Sequence, residues 1–434
     1  MKEKIIQFVS EMEKDLVSFR RDFHKHAEAG WTEFRTASIV AEKLESYGYK
    51  VLAGDEVIVE DAMMGVPDAD VLNRHYERAK AQGAPVKFLE KMKGGKTGVM
   101  GILETGKPGP VIALRIEMDA NDLNESTEES HRPFKEGFSS INDGAMHGCG
   151  HDGHIAMGLG TAKTLMQFKD ELCGTIKLIF QPAEEGVRGA ASMVAKGIVD
   201  DADYMLGIHL GFSVNKNGQI ICGTSGLLAT SKFDALFKGV PAHAGARPED
   251  GKSALLAAAA ATMSVQGIYR HSAGVSRINI GVLNAGTGRN VVPDRAVMKV
   301  ETRGATSQID EFMKNEAVRM INGSAAMYDC KVEIKKMGAA MSAESDPEMT
   351  ALTKELAVES GLFDDIIEME NLGFSEDYSY FMDRVQKKGG KANYFMVGTQ
   401  IAAGHHDNRF DFDEQVITKG AIVLSMMVHR LVKK

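Results

Sequence analysis

The residues best suited to chemistry lie in one short stretch, Met146–His154, which reads Met-His-Gly-Cys-Gly-His-Asp-Gly-His. Imidazole, thiolate and carboxylate groups are the side chains that bind divalent transition metals. The intervening glycines let the backbone bend, so neighbouring side chains can converge on one point. A strand-like run precedes the stretch and an apolar helical pattern follows from Ile155, which predicts a metal-binding loop that enters a helix. The alternative is a histidine-rich surface turn.

Further candidate ligands follow at, or just past, the ends of predicted strands. Residues 181–186 close a strand with two adjacent carboxylates, Glu184 and Glu185, while His209 ends the next strand and His406 follows a later one. In open α/β sheets, sites assemble at the carboxyl edge of the strands. Successive side chains point in different directions, so one carboxylate could bind metal while the other faces the substrate.

Together these positions give five candidate metal ligands: Cys149, His151, Glu185, His209 and His406. A closed tetrahedral zinc site takes four ligands, so five ligands fit a two-metal centre with a shared group better. Glu184 would then be available as a general base toward a metal-bound water. Taken singly, each histidine could be structural and the paired glutamates could be solvated charges, but their joint placement at strand ends favours the site.

A second group of candidate residues lies in a later segment. His243 stands among small residues in Gly239–Pro248, which predicts an accessible imidazole on a turn between a strand and a helix. Asn290 lies in a polar loop between strands, and Arg303 ends the following strand. An amide and an arginine fork suit recognition of a carboxylate, although each could equally be an ordinary turn residue.

Two patterns of secondary structure surround these residues. Strands alternate with helices up to about residue 223 and again from about residue 346, which predicts an α/β domain with a mostly parallel sheet. Between them the order is strand, helix, strand, strand, helix, strand, as in a ferredoxin-like α+β sandwich. We predict a catalytic metal-binding domain of residues 1–223 and 341–434, and an inserted dimerisation or lid domain of residues 224–340. The polar stretch 55–96 is predicted to be a partly helical insertion that acts as a lid or contacts a partner.

The composition excludes several classes of protein. The 434 residues are 44% hydrophobic and 26% charged, which is typical of a soluble globular protein. A net charge of −9 without basic runs argues against a nucleic-acid partner. No apolar stretch reaches the roughly 18 residues that a membrane span needs, and no signal-peptide pattern is present. The four cysteines lack a disulfide-like spacing, which favours a cytoplasmic location.

Taken in order, these motifs resemble those of M20-type metallopeptidases. The resemblance is to the amidohydrolase branch, with its hippurate hydrolases, N-acyl-amino-acid amidohydrolases and plant auxin-conjugate hydrolases. The matching segments are residues 20–24, 115–120, 147–152, 181–186, 242–244, 289–293, 375–377 and the region of His406. Residues 30–37, 55–96 and 402–406 resemble the A subunits of p-aminobenzoyl-glutamate hydrolases within this branch.

The resemblance implies two divalent ions per subunit, Mn2+ or Zn2+, held by the five candidate ligands with Glu184 as the base. It implies that His243 steadies the oxyanion in a partner subunit's site, and that Asn290 and Arg303 bind the substrate's α-carboxylate. The implied reaction is hydrolysis of N-acyl or N-aroyl amino acids, with p-aminobenzoyl-glutamate, cleaved to p-aminobenzoate and glutamate, as the preferred substrate. The alternatives are a broader aminoacylase, hippuricase or dipeptidase, and a non-catalytic partner subunit. The resemblance is compatible both with a homodimer and with a heteromer that contains a related B subunit.

The chain departs from the family pattern at three positions. Asn408 stands where proline usually follows the last metal histidine, and Phe374 stands where glycine is common. Glu117 replaces the first aspartate of the Arg-x-Asp-Met-Asp motif, whose second aspartate is present as Asp119. These departures bear on the fine geometry of the site rather than on the reaction.

Overall fold

The computed structural model describes residues 1–433, which form two compact units. Unit 1 comprises Met1–Ser225, Glu344–Leu372 and the chain from Asp377 onward. Unit 2 comprises Gly226–Ala343 and Gly373–Glu376. Unit 2 is therefore an insertion in unit 1, and the C-terminal part of the chain returns to complete unit 1.

Unit 1 begins with eight helices and seven strands. The helices are α1 (Lys2–Glu11), α2 (Glu13–Lys25), α3 (Phe34–Tyr47), α4 (Ala69–Ala81), α5 (Val86–Leu89), α6 (Arg132–Lys135), α7 (His151–Gln167) and α8 (Ala190–Ala195). The strands are β1 (Lys50–Ala53), β2 (Val99–Glu104), β3 (Val111–Glu117), β4 (Thr175–Gln181), β5 (Tyr204–Leu210), β6 (Gln219–Ile221) and β7 (Thr224–Ser225).

Unit 2 follows, and the chain then returns to unit 1. The elements of unit 2 are β8 (Ala229–Lys238), α9 (Ala254–Gln266), β9 (Ser276–Ala285), β10 (Arg295–Gly304), α10 (Ser307–Met327) and β11 (Lys331–Ala340). The returning elements are α11 (Pro347–Ser360), β12 (Asp365–Ile367), β13 (Glu370–Asn371), α12 (Ser379–Lys387), β14 (Lys391–Val397) and α13 (Gln415–Leu431).

The main sheet of unit 1 has eight strands in the order β1-β2-β4-β3-β5-β14-β6-β12. Its four central strands, β4, β3, β5 and β14, run parallel to one another. These strands are buried along almost their whole length, as their continuous apolar sequences require. The predicted α/β class with a mostly parallel sheet is confirmed. Because the four strands are parallel, their carboxyl ends meet at one edge of the sheet.

Helix α7 begins earlier than the sequence predicts. The apolar pattern predicts a start at Ile155, whereas the helix starts at His151, directly after Gly150 with a φ of 88°. The second half of the metal motif is therefore the first turn of a buried helix and not a loop. The pattern misses this turn because its residues are polar and yet buried.

The stretch 55–96 contains α4 and α5 and is otherwise irregular. The apolar run Val57–Val59 has a strand-like composition but forms no strand, because it lies between the short 3-10 turns Gly54–Glu56 and Glu60–Ala62. The strand in this region is β1, which pairs antiparallel with β2. Three consecutive β-branched residues are too few to identify a strand when turns flank them on both sides.

Unit 2 is a four-stranded antiparallel sheet in the order β11-β8-β10-β9. Helices α9 and α10 contribute to a single core, with Phe233, Phe237 and Met298 from the sheet and Ala261 and Ile321 from the helices. Many of the side chains that alternate with the core residues are charged and more exposed, such as Asp234 on β8 and Lys299 on β10. The element order matches the predicted α+β sandwich.

Two further predictions concern the chain as a whole. Across residues 1–433, the longest helices are too short or too polar to cross a lipid bilayer. None of the four cysteines, all of which the structure describes, forms a disulfide.

Candidate metal centre

The carboxyl edge of the main sheet in unit 1 brings potential metal ligands together in two overlapping groups. The first consists of buried side chains whose ligand atoms lie within 4.8 Å of one another: Glu117, His151, His154 and His209. The second meets the same limit: Cys149, His151 and Glu185. His151 belongs to both groups, so they form one cluster.

The five side chains that the sequence indicates as ligands all lie in or beside this cluster. Cys149 Sγ is 3.7 Å from His209 Nε2, and His406 Nε2 is 3.2 Å from Glu185 Oε1. The amide of His406 also donates to the carbonyl of Gly148, at 2.8 Å, which ties the last loop to the metal motif. His406 has a positive φ of 66°, a strained backbone of the kind that concentrates at functional sites.

The neighbouring His405 has a different environment. Its Nε2 lies 3.2 Å from the carbonyl of Leu210, and its ring stacks on Phe212 with a centroid distance of 4.2 Å. Burial lowers the pKa of His405 to about 4. His405 therefore packs as a structural residue, whereas His406 is the histidine of this pair that faces Glu185.

Hydrogen bonds orient the two central imidazoles. His151 Nδ1 donates to the carbonyl of Asp119 at 2.8 Å, and His209 Nδ1 donates to the carbonyl of Leu210 at 2.7 Å. These partners place a proton on Nδ1 of each ring, so in the neutral imidazole the lone pair is on Nε2, which faces the cluster. This is the tautomer that a histidine needs in order to bind a metal through Nε2.

The turn that carries the paired glutamates is held by Asp119. Its two carboxylate oxygens accept the amides of Glu184 and Glu185, each at 2.9 Å. Ala183, just before them, has a positive φ of 50°, and its amide donates to Glu33 Oε1 at 2.7 Å. Burial, together with the nearby charge of Asp119, raises the pKa of Glu33 to about 8. Glu33 is a supporting residue without a sequence signal, because it lies just before an ordinary helix.

A buried ion-pair network lies behind the first turn of α7. Arg20 is fully buried and donates to Asp152, Asp411 and Glu414 at 2.8, 2.8 and 3.1 Å. Asp152 also pairs with His24, whose Nδ1 lies 2.8 Å from the same carboxylate oxygen. Since Asp152 directly follows His151, this network fixes the backbone of a candidate ligand. The individual residues are visible in the sequence, but their convergence is not.

The electrostatics of the cluster favour a cation. Burial alone lowers the pKa of His151, but Asp119, Glu117 and Glu185 outweigh it and raise the value to about 9. Burial raises the pKa of Glu185, but His406 and His151 lower it to about 2. Glu185 is therefore ionised, and the three carboxylates around His151 stabilise positive charge at that position.

The donor set fits a divalent transition metal. Two buried atoms that face the cluster, Glu117 Oε1 and His151 Nε2, have no hydrogen-bond partner within residues 1–433. Burial of polar atoms without a hydrogen-bond partner destabilises the folded protein unless a bound cation interacts with them. Thiolate, imidazole and carboxylate ligands together suit zinc and related ions.

His243 and Asn290 lie on two paired turns of unit 2. The amide of Ala244 donates to the carbonyl of Asn290, and that of Val292 donates to the carbonyl of Ala242, both at 2.9 Å. His243 is exposed, and its Nδ1 accepts the amides of Gly245 and Ala246 at 3.2 and 3.1 Å. In the neutral ring the proton is therefore on Nε2, which points away from its own turn as a hydrogen-bond donor.

Arg303 belongs to a row of arginines on the sheet of unit 2. It lies directly opposite Arg277 in the register of β10 and β9, and Arg270 lines the same shallow cavity. Arg303 Nη2 also donates to Glu301 Oε1 at 3.1 Å. Like charges directly opposite each other destabilise a sheet, so the arrangement suits a surface that binds an anion.

Comparison with known proteins identifies the family to which this chain belongs. Residues 113–430 match the sequence profile of Peptidase family M20/M25/M40. This segment is more than half of the chain and contains all five candidate ligands. The chain belongs to this family. The predicted family and the predicted enzyme class, a hydrolase, are confirmed.

Within the M20 family, this chain has close relatives over its whole length. It is 51% identical over 416 residues to the A subunit of p-aminobenzoyl-glutamate hydrolase from Escherichia coli (strain K12), covering 96% of this chain and 95% of that protein. It is 49% identical over 421 residues to indole-3-acetyl-aspartic acid hydrolase of Enterobacter agglomerans, with coverages of 97% and 96%. The crystal structure of aminobenzoyl-glutamate utilization protein from Klebsiella pneumoniae aligns with a TM-score of 0.86 and 41% identity, covering 98% of this chain and 97% of that one.

Proposed function

We propose that this M20 hydrolase cleaves the amide bond of an N-acyl or N-aroyl amino acid with two divalent ions, manganese or zinc. The ligands in this proposal are Cys149, His151, Glu185, His209 and His406. The observation that carries the proposal is the cluster of these side chains, buried except for the half-buried Glu185 and the exposed His406, at the carboxyl edge of a parallel sheet. A second carboxylate, Glu184, directly precedes Glu185 in the same turn. When bound, such ions lower the pKa of a water and polarise the substrate carbonyl.

Glu184 is the proposed general base. Asp119 accepts the amides of both Glu184 and Glu185, so the backbone of the turn is fixed, and adjacent side chains on it point in different directions. Glu184 would accept a proton from the attacking water and then donate it to the leaving nitrogen. One residue therefore serves as base and then as acid.

His243 is the proposed stabiliser of the developing oxyanion. Its Nδ1 is occupied by two backbone amides, so its Nε2–H is the group free to donate. A positioned donor of this kind stabilises charge that appears only in the transition state. We propose that His243 serves the site of a partner subunit, because it lies on an exposed turn of the inserted unit.

The proposed substrate is p-aminobenzoyl-glutamate, cleaved to p-aminobenzoate and glutamate in the breakdown of folate fragments. The names of the two relatives at about half identity specify glutamate and aspartate conjugates, whose amino acids carry two carboxylates each. Asn290 and Arg303 would bind the α-carboxylate, and the adjacent Arg277 offers a cation for the second one. A glycine conjugate such as hippurate lacks that second group.

The proposed assembly follows from the two units. Residues 1–223 and 341–434 would form the catalytic domain, and residues 224–340 the dimerisation or lid domain. The partner would be a second copy of this chain or a related B subunit, since the names of two relatives describe an A subunit and a homologue of one. A cytoplasmic location agrees with the absence of disulfides among the four cysteines.

The test is release of p-aminobenzoate from p-aminobenzoyl-glutamate by the chain purified alone, reconstituted with manganese or with zinc. Glu184→Gln should reduce kcat by about 10²- to 10⁴-fold with normal folding and metal content. Unchanged turnover by this variant would refute the mechanism. Equal turnover of hippurate by the wild type would replace the proposed substrate with a broader aminoacylase activity.

A further inference from the structure

Glu117 stands out as a buried carboxylate for which the proposed mechanism has no role. It is the last residue of β3 and is fully buried. Its Oε2 accepts a hydrogen bond of 2.7 Å from Arg115 Nη1, and Arg115 is in turn held by Gln181 at 2.8 Å and Asp377 at 3.2 Å. The carboxylate is therefore fixed in one orientation, with Oε1 directed into the cluster.

Distances from Oε1 place Glu117 among the candidate ligands. Oε1 lies 4.0 Å from His151 Nε2 and 3.9 Å from His209 Nε2. Two atoms that each bind one ion at about 2.0 to 2.2 Å can be no more than about 4.4 Å apart. Both distances fall below this limit, and each neutral imidazole has its Nε2 lone pair on the side of the cluster. One ion can therefore contact Glu117 Oε1 together with either imidazole nitrogen, and the ligand atoms of the two histidines lie within 4.8 Å of each other.

His154 lies beside Glu117 but has a different role. Its Nε2 accepts the amide of Leu210 at 2.9 Å, so the proton of the neutral ring is on Nδ1. That nitrogen is 2.9 Å from Glu117 Oε1, although outside hydrogen-bonding alignment. His154 therefore has no lone pair to offer an ion, and Oε1 remains a buried charged oxygen without a hydrogen bond from residues 1–433.

We propose that Glu117 is a direct metal ligand, the sixth of the centre, on the side of His151 and His209. The proposal rests on the proposed function only in requiring that ions occupy the cluster. Glu117 would add a carboxylate ligand beside His151 and His209 without altering the ligands Glu185 and His406. The other oxygen of Glu117 accepts the hydrogen bond from Arg115, which would hold the carboxylate in place for the ion.

The decisive experiment measures metal binding rather than turnover. Metal-depleted wild type, Glu117→Gln and Glu117→Asp are titrated with Mn2+ and with Zn2+ against a chromophoric chelator, and the number and affinity of bound ions are determined. The matched control is Glu28→Gln, which also neutralises a fully buried glutamate, one that accepts backbone amides of Arg35 and Thr36 away from the cluster. Circular dichroism monitors folding of every variant.

The expected result is weaker binding of one of the two ions only. Glu117→Gln and Glu117→Asp should bind one ion as the wild type does and the other at least about 10- to 100-fold more weakly. Glu28→Gln should bind both ions normally. Glu117→Asp keeps the negative charge but shortens the side chain, so its carboxylate oxygen no longer reaches the ion. This variant tests the assignment even if Glu117→Gln fails to fold. Two ions of unchanged affinity in a folded Glu117 variant would overturn this assignment alone, whereas a wild type that binds no ion would overturn the proposed function itself.

Discussion

The buried arginine behind the metal motif gives the clearest prediction about stability. Arg20 contributes to three ion pairs, and Arg20→Met removes the cation while keeping much of the apolar volume. Asp411 and Glu414 retain Arg132, but Asp152 is left with His24 as its only charged partner among residues 1–433. Removal of one partner from a buried pair typically costs about 3–5 kcal/mol, and we expect a loss within that range.

The chain contains a suitable reporter for this measurement. Its single tryptophan, Trp31, is fully buried in unit 1, where its indole donates to the carbonyl of Met64 at 2.8 Å. Trp31 fluorescence therefore follows unfolding of unit 1 in urea without a signal from unit 2. The protein should be treated with a chelator, so that metal binding does not add to the free energy of unfolding.

The control is Arg132→Met, which removes an arginine that pairs with two of the same carboxylates. The Arg132 side chain is 33% exposed, so its loss should cost only about 1 kcal/mol or less. Addition of Asp152→Asn to Arg20→Met should recover part of the loss, because the double variant leaves no unpaired buried carboxylate at this position. If Arg20→Met costs no more than Arg132→Met, the network does not stabilise unit 1.

Three further outcomes are expected. Burial lowers the pKa of His24, but the hydrogen bonds that its ring donates to the carboxylates of Asp152 and Glu125 raise it to about 9. The stabilising contribution of His24 is therefore complete below about pH 6.5 and is lost as the pH rises toward 9. The free energy of unfolding of the chelator-treated chain in urea should decrease over that window. His24→Gln should reduce this dependence, and the raised pKa values of His151 and Glu33 should account for the remainder. His243→Ala should lower kcat by about 10²- to 10³-fold without changing the metal content. If His243 acts across subunits, mixing this variant with Glu184→Gln should restore activity, because a mixed assembly contains a site with both residues intact. A mixture as inactive as its components argues against action of His243 in a partner subunit. Arg277→Gln should lower kcat/KM for p-aminobenzoyl-glutamate at least about tenfold and leave kcat/KM for hippurate unchanged. The control is substitution of an exposed arginine, Arg295→Gln. Equal losses on both substrates would show that Arg277 does not recognise the second carboxylate.

The sequence contains most of the information for the elements, because burial and periodicity are local. The runs that become β3, β4, β5 and β14 are predominantly apolar, so each strand can be predicted within a few residues. Cys149 can be singled out because two histidines and three glycines surround it. The start of helix α7 is predicted too late, since its first turn buries polar residues that do not follow an apolar pattern.

What the sequence could not supply is the order of strands and the contacts that depend on it. Glu117 faces His209 only because β3 lies directly beside β5 in the sheet, a neighbour relation that no local pattern encodes. Arg20 reaches Asp411 across 391 positions of the chain, so its partner is equally a product of tertiary structure. The residues that support the metal ligands can therefore be identified only in the folded structure, whereas most of the ligands themselves can be identified from residue types.

The position of β14 has a consequence for biosynthesis. This strand, close to the C-terminal end of the chain, fills the gap between β5 and β6 in the middle of the main sheet, and His406 follows it. On the ribosome, the inserted unit can fold while the larger one still exposes two open strand edges, which are prone to intermolecular pairing. Loading of the ions should accordingly be among the last events of maturation, and products of premature termination should aggregate rather than persist as partial enzymes.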